Sequence, residues 1–104
     1  MGMPRIALTR AYYAVFHAMR ALLYVEGHEP RSHEGVIHLF NLNVVKPGRV
    51  PRDTSARIAR LQKYREEADY SVAFVVDPKV AADETKSAEE LVATIRELVR
   101  EATK

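Results

Sequence analysis

The stretch Thr9-Arg10-Ala11-Tyr12-Tyr13-Ala14-Val15-Phe16-His17-Ala18-Met19-Arg20-Ala21-Leu22-Leu23 decides how this chain is read. It lies inside a run, residues 5–26, that has no Gly or Pro and is rich in Ala, Leu and Met. Such residues lose little freedom in a helix. At 100° per residue, Ala7, Ala11, Ala14, Ala18 and Ala21 share one narrow stripe. Small side chains there let a second helix come close. Leu8, Tyr12, Val15, Met19, Leu22 and Leu23 widen the stripe into a core surface. Gly27 is placed to end the helix as a residue of positive φ.

Working outward, Ser32 follows Pro30 as an N-cap, because its hydroxyl can accept from an early orphan N–H. Val36, Ile37, Leu39, Phe40 and Val44 then give a short amphipathic helix that stops before Lys46-Pro47-Gly48. A third helix is expected over about residues 54–70, with Ile58, Leu61, Ala68 and Val72 at helical spacing. Arg65 falls inside that apolar stripe, and a charge facing a core must be paired or have a function. The apolar stretch 72–76 reads as a buried extended connector or helix end. Asp77-Pro78 opens a last helix, with Asp as N-cap and Pro at the first helical position. Its apolar face is Val80, Ala88, Leu91, Val92, Ile95, Leu98 and Val99. Four helices with short joints predict an all-α protein, an antiparallel four-helix up-and-down bundle forming a single domain over residues 1–104.

Composition sets the outer limits. A length of 104 residues, 47% of them apolar, suffices for one core and leaves no room for a separate cofactor domain. No cysteine is present, which excludes disulfides, thiolate zinc sites and a cysteine nucleophile. Only four glycines occur and none forms a phosphate loop. No apolar run approaches the roughly 18 residues of a membrane span, and the first residues lack the apolar core of a signal peptide. The expectation is a cytoplasmic protein without cofactor. The net charge of +2 hides a split. Residues 46–65 carry seven bases against Asp53 alone, whereas residues 77–104 carry seven acids and five bases. A basic middle can meet phosphates; equally, it can balance acids elsewhere in the fold.

Chemistry-bearing residues cluster on two helices. Arg10, Tyr13, His17, Arg20 and Tyr24 run along one line of the first helix, beside the Ala row. An Arg grips phosphate through its planar fork, and a His moves a proton near neutral pH. Arg65 and Asp69 stand four residues apart, the spacing of a local salt bridge. In the functional reading, Asp69 holds Arg65 toward a ligand phosphate and Tyr70 adds a hydroxyl. His28, His33 and His38 have no carboxylate at metal-ligand spacing, so no metal site is expected.

The 9–23 stretch looks like the signature helix of HEPN-domain proteins. The order of later elements agrees: Pro30-Arg31-Ser32-His33-Glu34-Gly35-Val36-Ile37, then Phe40, then Val45-Lys46-Pro47-Gly48, then Tyr64-Arg65-Glu66-Glu67-Ala68-Asp69-Tyr70. The similarity is greatest to a small stand-alone prokaryotic branch with an Arg-x-x-Ala-Asp-Tyr element. It implies a dimerising helical bundle, often paired with a small nucleotidyltransferase-like protein. Many family members are metal-independent RNases or toxins that use an Arg and a His four to six residues apart; others bind nucleotides or have no known activity. Here Arg65 matches the Arg, but Tyr70 stands where the His belongs.

Two functions are therefore expected. In the first, the chain binds a nucleotide or RNA phosphate at a cleft of Arg65, Asp69, Tyr70, Arg10, Tyr13, Arg20 and His17. If it cleaves RNA, His17 shuttles the proton and Arg65 steadies the phosphate charge. In the second, it is a non-catalytic dimerising module whose Arg65–Asp69 pair is structural. Relatives generally carry one more helix before the Tyr-Tyr helix. The resemblance thus implies that the family's first helix is lacking and that the Ala stripe lies open to another copy.

Overall fold

The quoted stretch lies within α1 (Met3–Val25) of a computed structural model, which describes residues 3–70 and 76–104. At about 1.5 Å per residue, the 23 residues of α1 run about 35 Å, most of the longest dimension of the 43 × 24 × 21 Å molecule. α1 ends as expected at Gly27, whose φ is 93°. The Gly27 N–H donates to the Tyr24 carbonyl at 3.0 Å and the His28 N–H to the Leu23 carbonyl at 2.8 Å. These two bonds close a Schellman cap and satisfy the last carbonyls.

α2 (His33–Phe40) starts at Ser32, whose Oγ accepts from the Gly35 N–H at 2.9 Å. It does not run on as a regular α-helix to Val44. Residues 41–45 form a π-helical turn in which the Lys46 N–H reaches back to the Asn41 carbonyl at 2.9 Å. The Asn43 side chain donates to the Leu39 carbonyl there, at 2.9 Å. Gly48, with φ 85°, closes the segment by the same pair of hydrogen bonds as Gly27: Gly48 N–H to the Val45 carbonyl and Arg49 N–H to the Val44 carbonyl, both at 3.0 Å.

α3 (Thr54–Tyr70) and α4 (Pro78–Ala102) follow. Asp77 caps α4 through Lys79 N–H at 2.8 Å, with Pro78 inside the first turn. The stretch 72–76 lies outside the described residues except for Val76, which packs against the core. Among the described residues the chain is all-helical, a four-helix bundle as expected.

α1 alone touches the other three helices, among the described residues. Leu8, Tyr12, Met19, Leu22 and Leu23 are sealed from solvent against Phe40, Leu61 and Ile95. The Ala stripe is not left without an intrachain partner. Ala11 and Ala18 are buried, and Ala7, Ala11 and Ala14 face Ala88, Val92 and Ala93 of α4 across a groove of about 540 Å³. α4 is amphipathic and buries its apolar face against α1, while Ala14 and Ala21 of the stripe stay exposed.

The basic middle segment is largely spent inside the fold. Arg49 makes a two-pronged pair with Glu26, Nη2 to Oε2 at 2.6 Å and Nη1 to Oε1 at 3.0 Å, tying the loop after Gly48 to the end of α1. Arg57 donates to the Ser87 hydroxyl at 2.8 Å, the Ser87 carbonyl at 2.9 Å and Glu90 at 2.9 Å. Arg60 holds the nearly buried Glu84 at 3.0 Å. These contacts strap α3 to α4 and explain the opposite charge balance of the two segments.

Candidate functional site

Arg65 turns inward from α3, as its place in the apolar stripe demands. Its side chain is 14% exposed and donates through Nη1 to Asp69 Oδ2 at 2.8 Å. The guanidinium lies over the Tyr12 ring, 4.7 Å from the centroid, and 5.7 Å from the Tyr13 ring. A cation is attracted to the negative face of an aromatic ring, which helps Arg65 tolerate this half-enclosed position. Its Nε is buried without a hydrogen-bond partner among the described residues.

Tyr12 passes this contact on. Its hydroxyl hydrogen-bonds with His33 Nδ1 at 3.1 Å. Burial raises the Tyr12 phenol above its ordinary value of 10.0, and the nearby Arg65 charge opposes that rise. His33 stacks on Phe16 with ring centroids 4.1 Å apart. Tyr13 is the hub of the cluster: its ring lies 6.2 Å from His17, 6.1 Å from His33 and 5.3 Å from Tyr12. One aromatic ring thus neighbours Arg65 and two histidines.

The structure pairs Arg65 with Asp69 and sets Arg65 and the exposed His17 each beside the Tyr13 ring, and it sends the other expected residues elsewhere. Tyr70 is 83% exposed and joins none of these ring contacts. The i, i+5 step that separates it from Arg65 rotates it off the inward face. Arg10 lines the groove with α4, beside Glu89 and Arg96. Arg20 and Tyr24 line a separate cleft at the far end of α1, with His28 and Arg31. The single line on α1 is long enough to serve three different neighbourhoods. Sequence reasoning reaches His33 only as a metal ligand. The one local sign of its position was the Ser32 cap, which fixes where α2 begins and so which way its first residue faces. Among the described residues, no group of three His, Asp or Glu could hold a metal ion.

The chain matches the HEPN domain over residues 1–102. It belongs to the HEPN domain family. Of this HEPN chain, 95 residues are 30% identical to a UPF0332 protein of Thermotoga maritima, covering 91% of the chain and 72% of that protein. A UPF0332 protein of Pyrococcus horikoshii is 47% identical over 51 residues, 49% of the chain and 36% of that protein. A Methanocaldococcus jannaschii protein named "Putative toxin" is 39% identical over 67 residues, 64% of the chain and 50% of that protein. The matches to the last two span half or less of those relatives. No helix of the HEPN domain, among the described residues, is long and apolar enough to cross a membrane.

Proposed function

We propose that this HEPN domain acts on RNA as a toxin-type, metal-independent nuclease. The single observation that carries the reading is the Tyr13 hub, around which Arg65, His17 and His33 converge. Metal-free RNA cleavage needs a base for the 2′-hydroxyl, an acid for the leaving 5′-oxygen, and a cation for the charge building on phosphate. Arg65 supplies the cation. His33 joins His17 as a second proton-handling group, which compensates for Tyr70 standing at the position where the family places its histidine. With Nδ1–H donating to the Tyr12 oxygen, His33 keeps Nε2 free to take a proton as base or, once protonated, to give one to the leaving oxygen. The toxin designation of the Methanocaldococcus relative agrees with this reading.

RNA cleavage measured in EDTA tests it. Arg65→Ala is expected to lower the rate by about 10²-fold or more, the effect of removing one preorganised charge stabiliser. His17→Ala and His33→Ala should each lose one limb of the pH–rate profile. Wild-type cleavage by Arg65→Ala overturns the proposal. Self-association and pairing with a small nucleotidyltransferase, implied by the family, belong to the same proposal; size-exclusion chromatography and co-purification read them directly.

A second reading has its own observation. Arg65 is already engaged by Asp69 and two rings, so the pair can serve the fold alone in a non-catalytic dimerising module. That reading requires no cleavage by the wild type under any condition.

A further inference from the structure

Among the described residues, Arg10, Arg20, Arg31, Arg52 and Arg96 make no ion pair. Arg49, Arg57, Arg60, Arg65 and Arg100 are ion-paired. Arg20 and Arg31 are exposed and make no ion pair among the described residues, and both line one cleft of about 360 Å³ at the C-terminal end of α1. Tyr24, His28, Glu29 and Pro30 complete it. Tyr24 is 66% exposed, an aromatic face that the core does not use. Among the described residues, Glu29 is the one carboxylate in the lining. At that end of α1 the Gly27 and His28 N–H groups satisfy the Tyr24 and Leu23 carbonyls.

We infer that this cleft is a subsite for single-stranded RNA, in which Tyr24 stacks a base and Arg20 and Arg31 hold flanking phosphates. The inference rests on the RNA reading above and extends it to a strand longer than the scissile step. Stacking on an exposed ring with cations beside it is how single strands are held without base-specific contacts. The cleft is continuous in sequence with the Arg65 cluster: Tyr13, His17, Arg20 and Tyr24 step along α1 at spacings of four, three and four residues. Tyr13 and Tyr24 are thus about 16 Å apart along the helix axis. A strand cut at Tyr13 therefore passes Arg20 before reaching Tyr24. The basic middle segment, by contrast, offers few open arginines.

Two measurements separate this inference from the nuclease reading. Anisotropy of a labelled hexauridylate reads the subsite, and cleavage of a dinucleotide too short to reach Tyr24 reads the Arg65 cluster. Tyr24→Ala is expected to weaken hexauridylate binding about five- to a hundredfold, the range for loss of one base stack. The double variant Arg20→Ala/Arg31→Ala should reduce the slope of log affinity against log salt by about 1.4, about 0.7 per phosphate contact. Both leave dinucleotide cleavage at the wild-type rate. These residues are exposed, and an unchanged helical signal by circular dichroism verifies folding. Unchanged affinity and salt slope in these variants overturn the subsite while leaving the nuclease intact. A wild type that cleaves nothing but binds hexauridylate through Tyr24 keeps the subsite and overturns the nuclease. A cleft that binds an acidic peptide and no RNA overturns the subsite.

Discussion

The Arg65 guanidinium lies 4.7 Å from the centroid of the Tyr12 ring, and the hydroxyl of that same ring bonds His33 Nδ1 at 3.1 Å. One tyrosine thereby links α3 to the first residue of α2 through α1. The cation, the phenol and the imidazole are held by packing that the core itself enforces, since Tyr12 is sealed from solvent. A site supported this way keeps its geometry without a bound ligand.

Arg65→Ala removes both the ion pair and the contact with the rings. Asp69 is 38% exposed, so water takes up much of its lost partner. The expected loss is about 1–2 kcal/mol, from a solvent-reaching pair plus a cation–π contact. A urea titration checks this. A larger loss, as expected of a fully enclosed pair, would show Arg65 to be chiefly a structural element.

Tyr12→Phe keeps the ring under Arg65 and removes one hydrogen bond. The expected cost is about 1 kcal/mol. Because burial raises the folded-state phenol, wild-type stability from this group is complete below pH 10 and falls as pH rises through the folded value. The Phe variant should lack this alkaline component. Parallel thermal melts above pH 9 for the two proteins make the comparison.

Glu26 titrates the opposite way. The hydrogen bond from Arg49 holds its carboxyl below the ordinary 4.5. Its contribution is present above that value and is lost as pH falls through the lower, folded one. Arg49→Ala should flatten the acid limb of the stability curve between pH 5 and pH 3, with a loss at neutral pH of about 1 kcal/mol. Chemical denaturation across that range reads both.

Thr54 is buried at the start of α3, and its hydroxyl oxygen has no hydrogen-bond partner among the described residues. Thr54→Val retains the β-branched shape and discards a desolvated polar group. It should leave stability unchanged or raise it by up to about 1 kcal/mol. A lower melting temperature would show that the hydroxyl has a role in the native state.

Gly27 has φ 93° and open space around it. Gly27→Ala therefore meets no neighbour, and its cost is purely the backbone strain of a left-handed residue, about 1–2 kcal/mol. Gly27→Asn should cost less, because Asn tolerates that region better. The order Gly, Asn, Ala in melting temperature tests the cap at the end of α1.

The caps and helices were legible because they depend on near neighbours. Ser32, Asp77-Pro78 and Gly27 each act within four residues, and the 3.6-residue period of the apolar face is written in the chain. The inward turn of Arg65 was legible for the same reason, as a charge inside an apolar stripe. The π-helical turn at 41–45 was not. The residues there fit an α-helix as well, and local propensity does not separate the two.

By itself the sequence determined four helices, the caps at Ser32, Asp77 and Gly27, the family and the anomaly at Arg65, all properties of short-range geometry or of motif order. Tertiary structure alone decided which charges are used up. Arg49, Arg57 and Arg60 meet acids more than 20 residues away, which composition counts as a basic patch and packing turns into straps. It also chose His33, which lies 21 residues from Tyr12 in sequence and 3.1 Å away in space. Periodicity sorts side chains to a face of one helix. Only the docking of one helix on another says which faces meet.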